Sequence, residues 1–275
     1  MYKLLCTDMD GTLLNDKKEI SERNLNAIKE AHERGVKVVV CTGRMFASAD
    51  FYSDLLGVKT PVIASNGAII REKDRNEIIY RALLGKENSL KVLNTCKKYG
   101  ILPNFHTPNT IFTEEINYSS ASYVKFNEVL PEGKKITITL VKDWEETFNK
   151  HENEILKCIA VDKDGDKIER AKGELCEQSS LEVVSSFENN FEAMNRGVSK
   201  GRAVEILAQY YNIAKEEIIC IGDNENDISM IEYAGLGVAM ANGEECAKKA
   251  AKYIADSNND DGVAKVIEKF ILNKK

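Results

Sequence analysis

The stretch that decides the fold is YKLLCTDMDGTLL, residues 2–14, in which a short apolar run ends at Asp8 and Asp10. The run Leu4-Leu5-Cys6 fits a strand that is buried on both faces. In open α/β sheets, ligands bind beyond the carboxyl ends of the strands, which is where the two aspartates would lie. Two carboxylates this close repel each other unless positive charge lies between them. A solvated Asp-Gly turn explains the stretch equally well, so the rest of the chain must decide.

Strand and helix patterns alternate in the outer parts of the chain. Residues 3–8, 36–42 and 61–68 are typical of buried strands, the last of which enters an Asn-Gly turn, and Ser21 is a plausible N-cap for the helix between the first two. The same alternation returns near the other end, with a helix at 199–211 and a strand that runs into the acidic stretch 217–227. This alternation favours a parallel sheet with right-handed crossovers.

The middle of the chain has a different pattern. Strand-like segments are more frequent there and alternate more strongly, as in an antiparallel or mixed sheet with helices on one face. We therefore predict an α/β core formed by residues 1–83 and 193–275, and an inserted α+β domain formed by residues 84–192.

Four polar motifs fall at the predicted C-terminal ends of strands or at a helix start in the core. They are Asp8-x-Asp10-Gly-Thr, Thr42-Gly43-Arg44, Lys200 in GVSKG, and the stretch from Asp223 to Asp227 in GDNEND. A parallel sheet would gather the strand-borne motifs at one edge, where Lys200 could join them. Each motif also has a simpler explanation: Thr42, Asn226 and Asp227 could cap helices, and Lys200 could be a surface lysine.

Phosphoryl transfer is the chemistry that needs this set of residues. Asp8 could attack phosphorus as a nucleophile, and Asp10 could act as general acid and then as general base. Asp8 and Asp223 could share Mg²⁺, which prefers carboxylate oxygens, water and phosphate oxygens. Thr42, Gly43 and Asn226 could hydrogen-bond a phosphate, whose charge Lys200 would offset. Arg44 fits a supporting, salt-bridging role better than a phosphate clamp.

The four motifs, in this order, resemble those of the haloacid-dehalogenase-like phosphohydrolase superfamily. SNGA at 65–68 and the long insertion between the second and third motifs resemble its Cof-type subfamily, which has a type-two (C2B) cap. The resemblance implies a Rossmann-like, doubly wound core and a cofactor Mg²⁺. It also implies that Asp8 is both nucleophile and metal ligand, that Asp10 binds metal through its backbone carbonyl, and that Asp223 is the third ligand. Asp227 would be a supporting carboxylate.

We therefore expect a Mg²⁺-dependent phosphatase that works through an aspartyl-phosphate. The resemblance implies that its partner is a small phosphorylated metabolite, either a sugar phosphate or a phosphorylated cofactor such as flavin mononucleotide or pyridoxal phosphate. The alternatives are a phosphomutase with the same nucleophile and a non-catalytic sugar-phosphate-binding regulator. Specificity is expected from cap residues such as Phe105, His106, Tyr123 and Phe187.

Composition limits the class of protein. The 275 residues carry 38 Lys and Arg against 44 Asp and Glu, a net charge of −6, which favours neither a nucleic-acid nor a membrane partner. No apolar run approaches the roughly 18 residues of a membrane span, and the chain begins almost directly with a strand, so we expect no signal peptide. The seven cysteines include no C-x-x-C pair, which favours a reducing, cytoplasmic setting. The sequence makes no prediction of oligomeric state.

Overall fold

The computed structural model describes residues 1–73 and 77–274, which contain fourteen strands and ten α-helices. The strands are β1 (Leu4–Thr7), β2 (Lys37–Cys41), β3 (Val62–Ala64), β4 (Ile69–Glu72), β5 (Glu77–Arg81), β6 (Pro103–His106), β7 (Thr110–Thr113), β8 (Thr137–Leu140), β9 (Lys157–Val161), β10 (Leu181–Val184), β11 (Asn190–Asn195), β12 (Ile218–Gly222), β13 (Leu236–Met240) and β14 (Tyr253–Ala255). The α-helices are α1 (Glu22–Glu33), α2 (Phe46–Leu55), α3 (Lys86–Tyr99), α4 (Tyr118–Phe126), α5 (Trp144–His151), α6 (Gly165–Cys176), α7 (Lys200–Tyr210), α8 (Ile228–Tyr233), α9 (Glu245–Ala250) and α10 (Gly262–Phe270). Within the described ranges, none of these helices combines the length and the apolar character needed to cross a membrane.

The contacts within the chain define two compact units. Unit 1 comprises Met1–Arg44, Tyr52–Tyr80 and Ser199–Lys275, and unit 2 comprises Met45–Phe51 and Arg81–Val198. The boundaries predicted at residues 84 and 192 stay a prediction.

Unit 1 is built on an eight-stranded sheet with the order β14-β13-β12-β1-β2-β3-β4-β5. The strands from β14 to β3 run parallel, and β1 lies between β12 and β2, so that Cys6 is opposite Cys220 on one side and Val39 on the other. Helix α7 packs on the face that includes Leu4 and Cys6, while Leu5, whose side chain points to the opposite face, is also fully buried. Both faces are therefore covered, which confirms the predicted doubly wound α/β core.

The sequence pattern did not predict one part of this sheet. The third predicted strand, 61–68, ends already at Ala64, and a 3-10 turn over Ser65–Gly67 follows. The chain then reverses into β4, which pairs antiparallel with β3. The predicted Asn-Gly turn is present, but the run Ile69-Ile70 after it forms a separate strand.

Unit 2 is an α+β unit with a six-stranded sheet of order β10-β11-β9-β6-β7-β8. Its neighbouring strands are antiparallel except for the parallel pair β7 and β8. Helices α3, α5 and α6 pack on one face of the sheet around Phe105, whose ring centroid lies 5.1 Å from that of Trp144 and 4.9 Å from that of Phe148. This arrangement confirms the predicted α+β character of the second unit.

Two of the four residues expected to set specificity, Phe105 and His106, are buried inside unit 2. Phe105 is fully buried among aromatic rings in the core of unit 2, so the expectation that it contacts substrate is wrong. His106 is also fully buried, whereas the side chain of Phe187 is 46% exposed.

Residues 45–51 belong to unit 2 although the sequence pattern assigned them to the core. Met45 is fully buried in a cluster with Ile111 and Ile136, and Phe51 packs against the ring of Phe126 with 5.6 Å between centroids. The first half of helix α2 therefore owes its burial to residues far along the chain, which local periodicity does not reveal.

We predict that a chain lacking residues 84–192, closed by a short flexible linker, still folds. Unit 1 contains its own buried sheet, so far-UV circular dichroism should show helix and strand, and thermal unfolding should be cooperative. The midpoint should be lower than that of the full chain because Met45 and Phe51 lose their apolar contacts. An unfolded product would contradict the predicted boundaries.

Candidate active site

A buried lysine lies between two carboxylates at the C-terminal edge of the parallel sheet in unit 1. Asp8 directly follows β1, and Lys200 is the first residue of α7. Lys200 Nζ lies 2.6 Å from Asp8 Oδ1 and 2.5 Å from Asp227 Oδ1, and its side chain is wholly buried. The positive charge that the two opening aspartates require is thus supplied partly by a residue 192 positions away.

Asp227 also fixes the loop that follows β12. Its Oδ2 accepts hydrogen bonds from the backbone N–H groups of Asp223, at 2.9 Å, and Asn224, at 3.1 Å. Both carboxylate oxygens of Asp227 are therefore already bonded to protein donors. This geometry favours a supporting role for Asp227, while Asp8 and Asp223 are better placed to bind a cation.

Asp223 packs against the loop that follows Asp10. Thr12 Oγ1 donates a hydrogen bond of 2.6 Å to Asp223 Oδ1. Gly11 has a φ angle of +78°, and a Cβ atom there would lie 2.4 Å from Asp223 Oδ2. Only glycine combines this backbone conformation with so close a carboxylate. Thr12 was not among the predicted site residues, because its contact depends on a pairing across 211 positions.

The cluster carries more negative than positive charge. Burial, followed by the charge of Asp227, raises the pKa of Asp223 to about 7. Burial also raises the pKa of Asp8, although Lys200 opposes this effect. Burial disfavours the charged form of Lys200, but the attraction of Asp227 and Asp8 outweighs it and raises the lysine pKa above its usual value.

The residues present fit a divalent cation. Oxygen atoms of Asp8, Asp223 and Asp227 lie within 4.8 Å of one another. Three ionised carboxylates against one ammonium leave an excess of two negative charges, which one divalent cation would neutralise. Hard oxygen donors suit Mg²⁺.

Asp10 has a different environment from Asp8. Arg44 binds its carboxylate through two hydrogen bonds, of 2.6 Å from Nε and 2.8 Å from the second nitrogen, and Lys18 Nζ lies 2.9 Å away. Burial alone would raise the pKa of Asp10, but the hydrogen bonds and charges of Arg44 and Lys18 outweigh it, so that this pKa lies well below its usual value. The structure thus places Arg44 in contact with Asp10, and it adds Lys18, which the sequence did not single out.

The predicted phosphate-binding residues also lie at this edge. Thr42 and Gly43 follow β2, and the Thr42 hydroxyl accepts a hydrogen bond of 3.2 Å from the backbone N–H of Arg44. Asn226 lies in the short 3-10 helix after Asp223, where its side-chain Nδ2 donates a bond of 3.0 Å to Asn66 Oδ1. Asn66 is a further residue of this region to which the sequence assigned no role.

This fold is that of a family of hydrolases. The chain matches the model of the haloacid dehalogenase-like hydrolases over residues 5–267, and it belongs to that family. It is 32% identical over 272 residues to the Bacillus subtilis protein named 5-amino-6-(5-phospho-D-ribitylamino)uracil phosphatase YcsE. The aligned region covers 98% of this chain and 96% of that protein.

Solved structures agree with this assignment. A haloacid dehalogenase-like hydrolase from B. subtilis superposes with a TM-score of 0.86 at 30% identity, over 98% of this chain and all of that one. The subclass IIB sugar phosphatase BT4131 superposes with a TM-score of 0.80 at 25% identity, over 98% of both chains. The resemblance seen in the sequence is confirmed, and the chain is a phosphatase of this family.

We predict that Mg²⁺ stabilises the protein more at pH 8 than at pH 5.5. Without metal, the raised pKa of Asp223 means that the native state holds a proton that the unfolded chain has lost between about pH 4 and pH 7. The free energy of unfolding should therefore fall as the pH rises through this window. Mg²⁺ competes with that proton, so the rise in melting temperature on adding Mg²⁺, a few degrees at saturation, should shrink below pH 7.

The test variant for this measurement is Asp223→Asn, and its matched control is Asp166→Asn. Asp223→Asn removes the titrating carboxylate, so the Mg²⁺-induced shift should disappear. Asp166 is an exposed residue of α6, and its variant should retain the shift. A pH-independent Mg²⁺ effect, or one that survives in Asp223→Asn, would show that Asp223 does not bind the ion.

Proposed function

We propose that this protein is a Mg²⁺-dependent phosphatase of small phosphorylated metabolites that forms an aspartyl-phosphate on Asp8. The observation that carries the proposal is the buried Asp8–Lys200–Asp227 bridge beside Asp223. A buried carboxylate that is bonded to an ammonium can act as a nucleophile, and a cation bound by the neighbouring carboxylates would offset the negative charge that otherwise repels a phosphate.

In the first step, an Asp8 oxygen forms a bond to phosphorus and the bond from phosphorus to the ester oxygen breaks. The leaving alkoxide takes a proton from Asp10. In the second step, water attacks the phosphorus of the aspartyl-phosphate, Asp10 accepts a proton from that water, and phosphate leaves as Asp8 is regenerated.

Asp10 can perform these roles only if its contact with Arg44 changes during the cycle. In the structure, Arg44 and Lys18 hold Asp10 ionised, which is the state that a general base requires. To act as an acid, Asp10 must first gain a proton, and the two hydrogen bonds from Arg44 oppose this. We propose that the Arg44 contact opens when substrate binds, so that Asp10 can hold the proton that it donates in the first step and regains in the second.

The phosphoryl group would be held by the Thr42 hydroxyl, the Gly43 backbone N–H and the Asn226 amide, with Lys200 offsetting its charge. Asp8, Asp223 and the backbone carbonyl of Asp10 would hold Mg²⁺, which when bound offsets the negative charge of the site and of the phosphoryl group. Thr12 and Gly11 position Asp223 for this purpose.

The substrate class we propose is the phosphate esters of sugars and of sugar-derived chains, with phosphorylated cofactors second. The names of the relatives support this: one is a phosphatase of a phosphoribityl compound and one a sugar phosphatase. We also propose that the protein acts in the reducing cytoplasm, because its seven cysteines are odd in number and include no C-x-x-C pair.

We predict that Asp8→Asn and Asp10→Asn fail in different ways. Asp8→Asn should abolish turnover of every substrate, because a neutral amide cannot form the covalent intermediate. Asp10→Asn should slow formation of the aspartyl-phosphate by roughly a hundred- to ten-thousandfold with a sugar phosphate, but far less with 4-nitrophenyl phosphate, whose leaving group departs without a proton. Rapid-quench measurement of burst and steady-state rates separates the two steps.

The sugar phosphate used should be the one that releases phosphate fastest in a panel of phosphomonoesters with Mg²⁺. Hydrolysis of the intermediate should slow equally for both substrates, since the intermediate is the same. Asp166→Asn serves as the exposed control. Equal losses of burst rate with the two leaving groups would remove Asp10 from the acid role, and phosphoryl return to the sugar without phosphate release would indicate a mutase.

A further inference from the structure

The turn formed by Ser65, Asn66 and Gly67 has a backbone conformation that is costly to maintain. The three residues have φ angles of 51°, 56° and 95°, in the region that favours glycine. Residues held in such conformations persist only when the surrounding structure fixes them, and they concentrate at functional sites. The mechanism proposed above gives this turn no part.

The turn contacts all three segments that carry the candidate phosphate-binding side chains. The backbone N–H of Asn66 donates a hydrogen bond of 3.1 Å to the carbonyl of Thr42. Asn66 Oδ1 accepts the bond from Asn226 described above. A Cβ atom on Gly67 would lie 2.3 Å from the carbonyl oxygen of Ser199, the N-cap residue immediately before Lys200.

The bond between the two asparagine side chains decides what Asn226 offers to a ligand. A carboxamide has N–H donors on one side and a carbonyl acceptor on the other. A phosphoryl oxygen is an acceptor, so Asn226 can hold it only with its nitrogen side. Because Asn66 Oδ1 accepts one N–H of Asn226, a half-turn of the Asn226 amide would place two carbonyl oxygens against each other. Both side chains are buried, Asn66 to 1% and Asn226 to 8% exposure, so solvent offers little compensation for that half-turn.

We infer that Asn66 is a positioning residue, whose side-chain oxygen holds the Asn226 amide in the orientation that donates N–H to the phosphoryl group. This inference rests on the proposed function, since it assigns the support of a phosphate-binding side chain. The left-handed conformation of Asn66 is what brings its side chain to Asn226 while its backbone N–H bonds to Thr42.

Asn66→Gly is the variant that removes the side chain and keeps the backbone conformation, because glycine accepts the φ angle of 56°. We expect the inhibition constant of inorganic phosphate to rise, and kcat/KM for 4-nitrophenyl phosphate to fall, by roughly tenfold or more. The melting temperature should fall by no more than a few degrees, because the relief of backbone strain partly offsets the loss of a buried hydrogen bond, and phosphate binding is measured well below it. Asn212→Gly is the matched control, since Asn212 has a φ angle of 53° and is exposed in a turn outside the site.

A double-mutant cycle with Asn226→Ala tests whether Asn66 acts through Asn226. If it does, the variant that carries both substitutions should bind phosphate no worse than Asn226→Ala alone. Losses that add would overturn the inference, as would an Asn66→Gly variant with the phosphate affinity of the unsubstituted protein.

The failure of this inference can be told from the failure of the proposed function. An unsubstituted protein that hydrolyses no phosphomonoester with Mg²⁺ would overturn both. An active protein in which Asn226→Ala weakens phosphate binding but Asn66→Gly does not would overturn only the positioning role.

Discussion

The ammonium of Lys200, held between Asp8 and Asp227, is the contact on which the rest of the site depends. It joins the end of β1, the start of α7 and the loop after β12, three segments that are distant in sequence. A buried ion pair is weak evidence for stability, since the loss of hydration offsets much of the attraction, whereas removal of one partner typically costs about 3–5 kcal/mol. The bridge is therefore better explained by what it does to Asp8 than by any gain in stability.

The excess of carboxylates around this lysine accounts for several local features. One oxygen of the Asp227 carboxylate bonds to Lys200, and the other accepts hydrogen bonds from two backbone N–H groups. The Thr12 hydroxyl donates a hydrogen bond to Asp223. Each of these bonds favours a charged carboxylate in a place where burial disfavours it. The remaining negative charge, which the pKa of about 7 at Asp223 reflects, is the part that a cation can relieve.

Much of the fold and most of the candidate residues could be predicted because they depend on local patterns. Apolar runs of strand length alternating with helices specify the parallel sheet, and the parallel sheet brings the ends of β1, β2 and β12 to one edge. The order of the four motifs then identifies Lys200 as a candidate site residue. A lysine at a helix start would not by itself indicate a functional site.

The missed features depend on contacts between distant segments. The Thr12–Asp223 bond, the burial of Met45 and the Asn66–Asn226 pair each join residues whose local sequence looks ordinary. The wrong expectation for Phe105 has the same cause. An aromatic residue in an alternating strand can face either the helices that cover the sheet or the opposite side. A strand pattern gives the alternation, but the register and the face are set by partners elsewhere in the chain.

Asp8 and Asp10 are separated by one residue, yet their environments push their pKa values in opposite directions. Burial and two neighbouring carboxylates raise the pKa of Asp8, while two cations lower that of Asp10, whose side chain is 40% exposed. The difference arises from the groups that each side chain contacts, which are Lys200 for Asp8 and Arg44 and Lys18 for Asp10. Two carboxylates in different surroundings can take different roles in one reaction. The opening motif therefore supplies the two groups, and residues from distant parts of the chain give each of them the environment on which the proposed roles rest.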